Sequence, residues 1–340
     1  MLENTLLGSA IALGVSGHPI LAAVSGTALL AHRQSNASNK VNLIGNYSFE
    51  EGELEPDDVS AVDILRNYDE EERNNRNLIP DSLALCCDVY CLSNVNADAY
   101  RTRSFSRDGN GWIWLMDYLE YPTRFDLSQP VKEFLNAVRH LPYIHNETGL
   151  VSGLFFQVVD KYNIRVAYVT KGTSKAKDWV ANLKQGWDGD SALYQQSQVN
   201  ARHINRMMNA FIKERGYLYF MGHSLGGGLA NLNAMSTSQP AITFNAASVH
   251  PDSVGDNMDN YRYLVNNKAM IGVYVEGEVL SLPASEAVGL PKNGNRYVVK
   301  IDQSYLKDGD NAIERHYLKP LCARYKLEST KWEYRIYLTI

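Results

Sequence analysis

The chain has 340 residues, of which 45% are hydrophobic and 21% are charged, and its formal net charge at pH 7 is −5. This composition is typical of a globular protein that can bury a substantial core without disulfide bonds or metal ions. The negative net charge and the absence of a long basic run argue against a nucleic-acid-binding surface.

The N-terminal part divides into an apolar and a polar region. Between Met1 and Ala31 only Glu3 is charged at pH 7, and Pro19 interrupts the run, so residues 1–32 are predicted to form an apolar helical segment. Each half is too short to span a bilayer, and the segment could contact a membrane or a partner, pack on the main domain, or be disordered. Residues 33–78 are polar and acidic, with one short helix expected around 59–68, and are interpreted as a linker to a domain spanning 79–340.

The start of the chain lacks the basic residues of a Sec-type signal peptide. The expected location is therefore cytoplasmic, membrane-associated, or outside the cell after export by a non-classical route.

Cysteines and aromatic residues concentrate in two stretches that follow. Residues 83–92 read as a buried helix, on which Cys86 and Cys87 point to different sides, so that buried thiols are expected rather than a metal site. A disulfide between Cys91 and Cys322 is left open. The aromatic stretch 112–121 is interpreted as core, with an acyl-chain or membrane contact as the alternative.

Strands and helices alternate along the rest of the chain. Strands are predicted at 153–160, 164–169, 217–221, 241–244 and 269–276, and helices at 178–185 and 195–215. This alternation predicts an α/β fold with a largely parallel sheet flanked by helices.

A candidate nucleophile lies directly after one of these strands. The apolar run 217–221 is followed by Gly222-His223-Ser224-Leu225-Gly226 and then by small residues that open a helix. In this context the G-x-S-x-G pattern predicts a sharp strand-to-helix turn that presents the Ser224 hydroxyl.

A serine nucleophile needs a base and an acid, which follow it along the chain in α/β-hydrolases. His316 is the favoured base and His250 the alternative. The loop after the strand 269–276 provides Glu278 as the favoured acid, with Glu276 behind it. Weaker candidates for the acid follow the preceding strand, namely Asp252, Asp256 and Asp259.

Donors for a developing oxyanion are predicted in two places. One is the backbone N–H of Leu225, the residue after the nucleophile. The other is Thr173, which ends the loop Thr170-Lys171-Gly172-Thr173 after an earlier strand and offers both an N–H and a hydroxyl.

Four separated pieces resemble the class 3 (fungal-type) lipases. They are the elbow 222–227, the loop 170–173, the loop 276–283 and the segment 316–318. Glu278 stands where that family has aspartate, and Lys171 where it usually has arginine. The resemblance covers about residues 80–320 and implies an α/β-hydrolase fold.

The resemblance also implies a lid at Ser174–Gly189. Trp179 and Trp187 would face lipid when this lid is open.

Together these features predict a serine hydrolase that cleaves carboxylic esters of lipids, as a triacylglycerol lipase or a phospholipase A-type enzyme, through an acyl-serine. The expected partner is a lipid substrate, contact with a membrane surface is left open, and no nucleic acid, metal or organic cofactor is expected. A soluble esterase or thioesterase with the same residues, and a non-catalytic lipid- or partner-binding module, are the alternatives.

Overall fold

The computed structural model describes residues 51–53, 78–92, 111–172, 192–213, 216–249, 251–267, 269–281, 294–306 and 312–324. Several predicted features lie outside these residues. They are the apolar segment 1–32, the helices near 59–68 and 178–185, the lid Ser174–Gly189, Thr173 and His250.

The centre of the described structure is a mixed sheet of mostly parallel strands. The strands are β1 (Glu51–Glu53), β2 (Trp112–Trp114), β3 (Ile144–His145), β4 (Leu150–Val158), β5 (Ile164–Thr170), β6 (Gly216–His223), β7 (Ala241–Phe244), β8 (Met270–Val275) and β9 (Asn295–Val299). Their order is β1-β9-β8-β7-β6-β5-β4-β2, with β3 paired to β4. Neighbours from β5 to β1 run parallel, whereas β4 pairs antiparallel with β2, β3 and β5.

The central strands are short apolar runs because both of their faces are covered. Every residue of β5, β7 and β8 is buried. Parallel strands with both faces packed show this continuous burial rather than an alternation of apolar and polar residues.

Helices lie on both faces of the sheet. They are α1 (Leu78–Cys91), α2 (Leu115–Glu120), α3 (Gln129–Val138), α4 (Ala192–Met207), α5 (Leu225–Thr237), α6 (Pro251–Val254), α7 (Met258–Asn266), α8 (Ala312–His316) and α9 (Leu318–Arg324). Successive strand residues serve opposite faces. Phe220 of β6 packs in the core shared with α2 to α5 and α7, whereas Tyr219 packs in the core shared with α1 and α9.

The sheet and its helices agree with the predicted largely parallel α/β arrangement, but the strands β1, β2, β3 and β9 were not predicted and the ends of several elements differ. The helix predicted at 195–215 begins at Ala192 and passes into a π-helical turn at Met208–Ile212. In the aromatic stretch Trp112 and Tyr118 are buried, as the core interpretation predicts, and Tyr121 is 43% exposed. The strand β1 lies within the region predicted as a linker, and the domain division itself stays a prediction.

The structure shows Cys322 as a free thiol rather than in the disulfide that the sequence left open. Cys86, Cys87 and Cys322 are buried thiols. The Cys322 Sγ lies 3.4 Å from the Cys87 Sγ, so Cys322 of α9 contacts α1 through Cys87. Cys322 therefore forms no disulfide with Cys91.

Two further observations concern the described ranges alone. None of the helices there combines the length and apolar character needed to cross a bilayer. The same residues contain no group of three His, Cys, Asp or Glu side chains that could hold a metal ion.

Candidate active site

The candidate nucleophile lies at the corner between β6 and α5. Ser224 has a φ of 58° and a ψ of −129°, a backbone conformation that residues with a side chain rarely adopt. Two backbone hydrogen bonds hold Ser224 in this conformation. Its N–H donates to the Phe244 carbonyl, and its carbonyl accepts from the N–H of Ala247. A strained residue that its surroundings hold in place is typical of a functional site.

The glycines two positions before and after Ser224 lie where a side chain would collide with neighbouring backbone. A Cβ on Gly222 would lie 2.2 Å from the Gly226 carbonyl oxygen, and a Cβ on Gly226 would lie 2.2 Å from that of Thr170. The Thr170 hydroxyl also donates to the Gly226 carbonyl at 2.6 Å. The turn therefore packs backbone against backbone, which explains the G-x-S-x-G spacing.

The structure brings His316 to Ser224. His316 is the last residue of α8, and its Nε2 lies 2.9 Å from the Ser224 Oγ. The two residues are 92 positions apart in the chain. This is the contact that a base needs to take the serine proton.

The structure also brings Glu278 to His316, and not Glu276. The Glu278 Oε2 lies 2.7 Å from the His316 Nδ1 and accepts a second hydrogen bond from the Leu280 N–H at 2.9 Å. The Glu276 residue is exposed. Since a carboxylate only accepts hydrogen bonds, the His316 Nδ1 carries the proton and its Nε2 is left to accept from the Ser224 hydroxyl.

All three side chains are removed from solvent. Ser224 is 2% exposed, His316 is 5% exposed and Glu278 is 0% exposed. Hydrogen bonds to an ionised carboxylate are short and strong in such surroundings, so this arrangement fixes the orientation of the imidazole.

Of the two predicted oxyanion donors, Leu225 lies within the described residues and Thr173 lies outside them. Leu225 begins α5, where backbone N–H groups have no partner within the helix. Of the other loop, residues up to Gly172 are described, and they lie directly against the elbow. A Cβ on Gly172 would be 3.0 Å from the Ser224 Cβ and 2.6 Å from the His223 carbonyl oxygen.

Three residues that the sequence did not assign to the site are linked to His316 by hydrogen bonds, two of them directly and the third through His223. Asn245, at the end of β7, donates from its Nδ2 to the His316 carbonyl at 3.0 Å and accepts at its Oδ1 from the Val275 N–H. His223 places its Nε2 2.8 Å from the same carbonyl, and its Nδ1 lies 2.8 Å from the Tyr90 hydroxyl. An asparagine directly after a predicted strand was the available signal for Asn245, whereas nothing in the sequence connects Tyr90 with the elbow.

Comparison with known proteins gives two similarities. Residues 146–295 match the family model of a phospholipase-like, Tle-like phospholipase domain. The matched range contains Ser224 and Glu278 and ends before His316.

The second similarity is to an extracellular phospholipase A1 of Serratia liquefaciens. The two sequences are 37% identical over 78 residues, which cover 23% of this chain and 23% of that protein. The aligned part of the chain thus spans about a quarter of the relative's length. Both similarities support a lipase or phospholipase relationship, and neither singles out the class 3, fungal-type family.

Proposed function

We propose that this protein is a serine hydrolase that cleaves carboxylic esters of lipids, with phospholipids as the first substrate class to test. The observation that carries the proposal is the continuous hydrogen-bonded line from Ser224 through His316 to Glu278. The phospholipase-like match over residues 146–295 and the similarity to a phospholipase A1 support the lipid part of the proposal.

In the proposed acylation step, the Ser224 Oγ attacks the ester carbonyl carbon while the His316 Nε2 takes the hydroxyl proton. Glu278 accepts from the Nδ1–H, which keeps the imidazole in the required tautomer and stabilises the imidazolium. The protonated His316 then gives its proton to the leaving alcohol oxygen, so that a lysophospholipid or a diacylglycerol departs and an acyl-serine remains.

In the proposed deacylation step, the same groups act on water. His316 takes a proton from the water, whose oxygen attacks the acyl carbon. Collapse of the second tetrahedral intermediate returns the proton to Ser224 and releases the fatty acid.

The negative charge on the carbonyl oxygen needs fixed donors in both steps. The N–H of Leu225 is proposed as one donor, because it lies at the N-terminus of α5 beside the nucleophile. Thr173 is proposed as the other, since it follows Gly172, which packs against the elbow. Removal of one such donor typically costs about 3 kcal/mol of transition-state stabilisation.

Hydrolysis by the wild type and by Ser224→Ala tests the proposal. The substrates are phospholipid vesicles, a triacylglycerol emulsion and a water-soluble short-chain ester. We expect release of long-chain fatty acid by the wild type, a fall of at least about a thousandfold in Ser224→Ala, and labelling of Ser224 by a fluorophosphonate probe.

Other outcomes separate the alternatives. Undiminished hydrolysis by Ser224→Ala would overturn the proposed nucleophile. Cleavage of the short-chain ester alone would favour a soluble esterase. Vesicle binding without hydrolysis and without labelling would favour a non-catalytic lipid-binding module.

A further inference from the structure

His223 occupies an unusual place beside the proposed nucleophile. It is the last residue of β6, it is 5% exposed, and its ring centroid lies 5.0 Å from that of His316. Its imidazole does not contact the serine hydroxyl. Its ring nitrogens instead contact two other parts of the chain, α1 and the end of α8.

The hydrogen bonds fix which nitrogen of His223 carries the proton. A backbone carbonyl only accepts, so the Nε2 that faces the His316 carbonyl must be protonated. The Nδ1 is then an acceptor, and the Tyr90 hydroxyl must donate to it. Burial raises the pKa of Tyr90, so that its hydroxyl keeps the proton it donates.

His223 is also held neutral. Burial, and in second place the nearby His316, lower the pKa of His223 to about 3. The neighbouring His316 becomes positively charged during the proposed reaction. A neutral His223 adds no second positive charge next to it.

His223 contacts the His316 carbonyl at the end of α8, a helix that depends on contacts with other elements. The helix α8 has only five residues and ends at His316, and a helix of this length has little stability of its own. The His316 carbonyl accepts from the His223 Nε2–H at 2.8 Å and from the Asn245 Nδ2 at 3.0 Å. These two side chains lie at the carboxyl ends of β6 and β7, two adjacent strands of the central sheet.

Tyr90, which hydrogen-bonds His223, also lies beside Gly172 of the proposed oxyanion loop. Gly172 packs against the Tyr90 hydroxyl. A Cβ on Gly172 would lie 2.4 Å from that hydroxyl oxygen. The packing of Gly172 against Tyr90 and the two hydrogen bonds of His223 therefore connect the residue before Thr173 with the backbone of His316.

We propose that His223 is a positioning residue for His316. Its neutral imidazole, fixed as the Nε2–H tautomer by Tyr90, donates to the His316 carbonyl and keeps the His316 side chain aligned with the Ser224 hydroxyl. This inference rests on the proposed function, because it assigns His316 the role of base. It adds that the histidine of the elbow acts on catalysis through the backbone of another residue.

Two substitutions of His223 separate its two hydrogen bonds. In His223→Gln the amide nitrogen can occupy the place of Nε2 and keep the bond to the His316 carbonyl. In His223→Asn the amide oxygen can occupy the place of Nδ1 and keep the bond to Tyr90, but the bond to His316 is lost. Both replacements are neutral and polar.

We expect His223→Asn to lower kcat by about ten- to a hundredfold with KM within about threefold of the wild type, because a small displacement of a catalytic group has effects of this size. His223→Gln should keep kcat within about threefold of the wild type. Tyr90→Phe should fall between the two, because the ring remains and only the hydroxyl that fixes the tautomer is removed. Unfolding curves of each variant give the folded fraction to which the rates are normalised.

The result that would overturn the inference is an equal kcat per folded molecule for His223→Asn and His223→Gln. Such a result would leave His223 a purely structural residue. A readout independent of activity is ¹⁵N NMR of the imidazole nitrogens, which must show His223 as the Nε2–H tautomer at neutral pH. If the wild type neither hydrolyses lipid nor labels at Ser224, the proposed function fails, while the NMR result still reports on the tautomer.

Discussion

At the scale of single residues, the candidate site depends on a few atoms held at defined distances. The Ser224 hydroxyl, the His316 ring and the Glu278 carboxylate form one hydrogen-bonded line with distances of 2.9 and 2.7 Å. Glu278 is longer than an aspartate by one methylene group. Its buried carboxylate still reaches the ring, while its second contact, the Leu280 N–H, holds the loop in place.

Substitution of the two glutamates tests the assignment of the acid. We expect Glu278→Gln to lower kcat by about a thousandfold or more, because the amide disturbs the tautomer that His316 needs. Glu276→Gln is the matched control in the same loop, and its kcat should stay within about twofold of the wild type, since exposed carboxylates contribute little. Steady-state hydrolysis of one phospholipid checks both variants, and comparable losses in the two would contradict the assignment.

The protonation of His223 predicts a pH dependence of stability. Its pKa is about 3 in the folded protein, against about 6.5 in an unfolded chain. As the pH falls below about 6.5, the unfolded state takes up a proton that the folded state does not bind. The contribution of neutral His223 is therefore complete above that pH and is lost on acidification, by up to about 1.4 kcal/mol per pH unit.

Urea unfolding between about pH 7 and pH 4 measures this contribution. The free energy of unfolding of the wild type should fall more steeply with decreasing pH than that of His223→Gln or His223→Asn, which share the loss of the titrating ring. Parallel pH profiles for all three proteins would show that His223 takes up its proton at the same pH in the folded protein as in the unfolded chain, and would contradict the lowered pKa.

At the scale of elements, the ends of neighbouring strands bring the site together. β5 leads to Gly172, β6 to His223 and Ser224, β7 to Asn245, and β8 to Glu278. Because these strands are parallel and adjacent, their carboxyl ends meet at one edge of the sheet. His316 joins them from α8, which is anchored to this edge by hydrogen bonds to its last carbonyls.

The close contact between the elbow and β5 predicts different costs for two glycines of α5. In Gly226→Ala the new Cβ would lie 2.2 Å from the Thr170 carbonyl oxygen, so the end of β5 must move, at a cost of about 2–3 kcal/mol. Gly228→Ala is the matched control two residues further along. Its nearest atoms are at 3.0 and 3.1 Å, and the gain in helix propensity of about 1 kcal/mol offsets much of the crowding.

Chemical denaturation of the two alanine variants and the wild type checks this difference. An equal loss of stability in both variants would show that the packing of the elbow against β5 does not decide the cost.

At the scale of the whole molecule, two cores on opposite faces of one sheet join distant parts of the chain. In the smaller core, α1 and α9 pack against the same face of the central strands, although the two helices are far apart in the chain. The thiols of Cys87 and Cys322 lie 3.4 Å apart within it, which makes them reporters on the closure of this face.

Because Cys86, Cys87 and Cys322 are buried, we expect their thiols to be unreactive in the native protein. Desolvation raises the pKa of Cys86, while a hydrogen bond with Cys322 and then desolvation raise that of Cys87, so neither forms the reactive thiolate. In a Cys91→Ser background, Ellman's reagent should detect no fast-reacting thiol under native conditions and the remaining three cysteines after unfolding. Rapid reaction in native buffer would mean that the face covered by α1 and α9 opens readily.

The sequence by itself determined the local features of this protein. The positions of five of the nine described strands, the sharp turn at Ser224 and the buried cysteine helix follow from short-range patterns, because apolar runs and glycine spacing constrain backbone and burial directly. The chain order of the candidate residues limited the base to His250 or His316 and left both Glu276 and Glu278 available.

Only the tertiary structure decided which of these side chains meet. Ser224 and His316 are 92 positions apart, and strand pairing and helix packing bring them together. No local sequence pattern encodes such a long-range contact. The same holds for the hydrogen bonds that the side chains of Tyr90, Asn245 and His223 form. Their hydrogen bonds exist because several elements end at one edge of the sheet, and a polar group buried there must find its partner among neighbours that are distant in sequence.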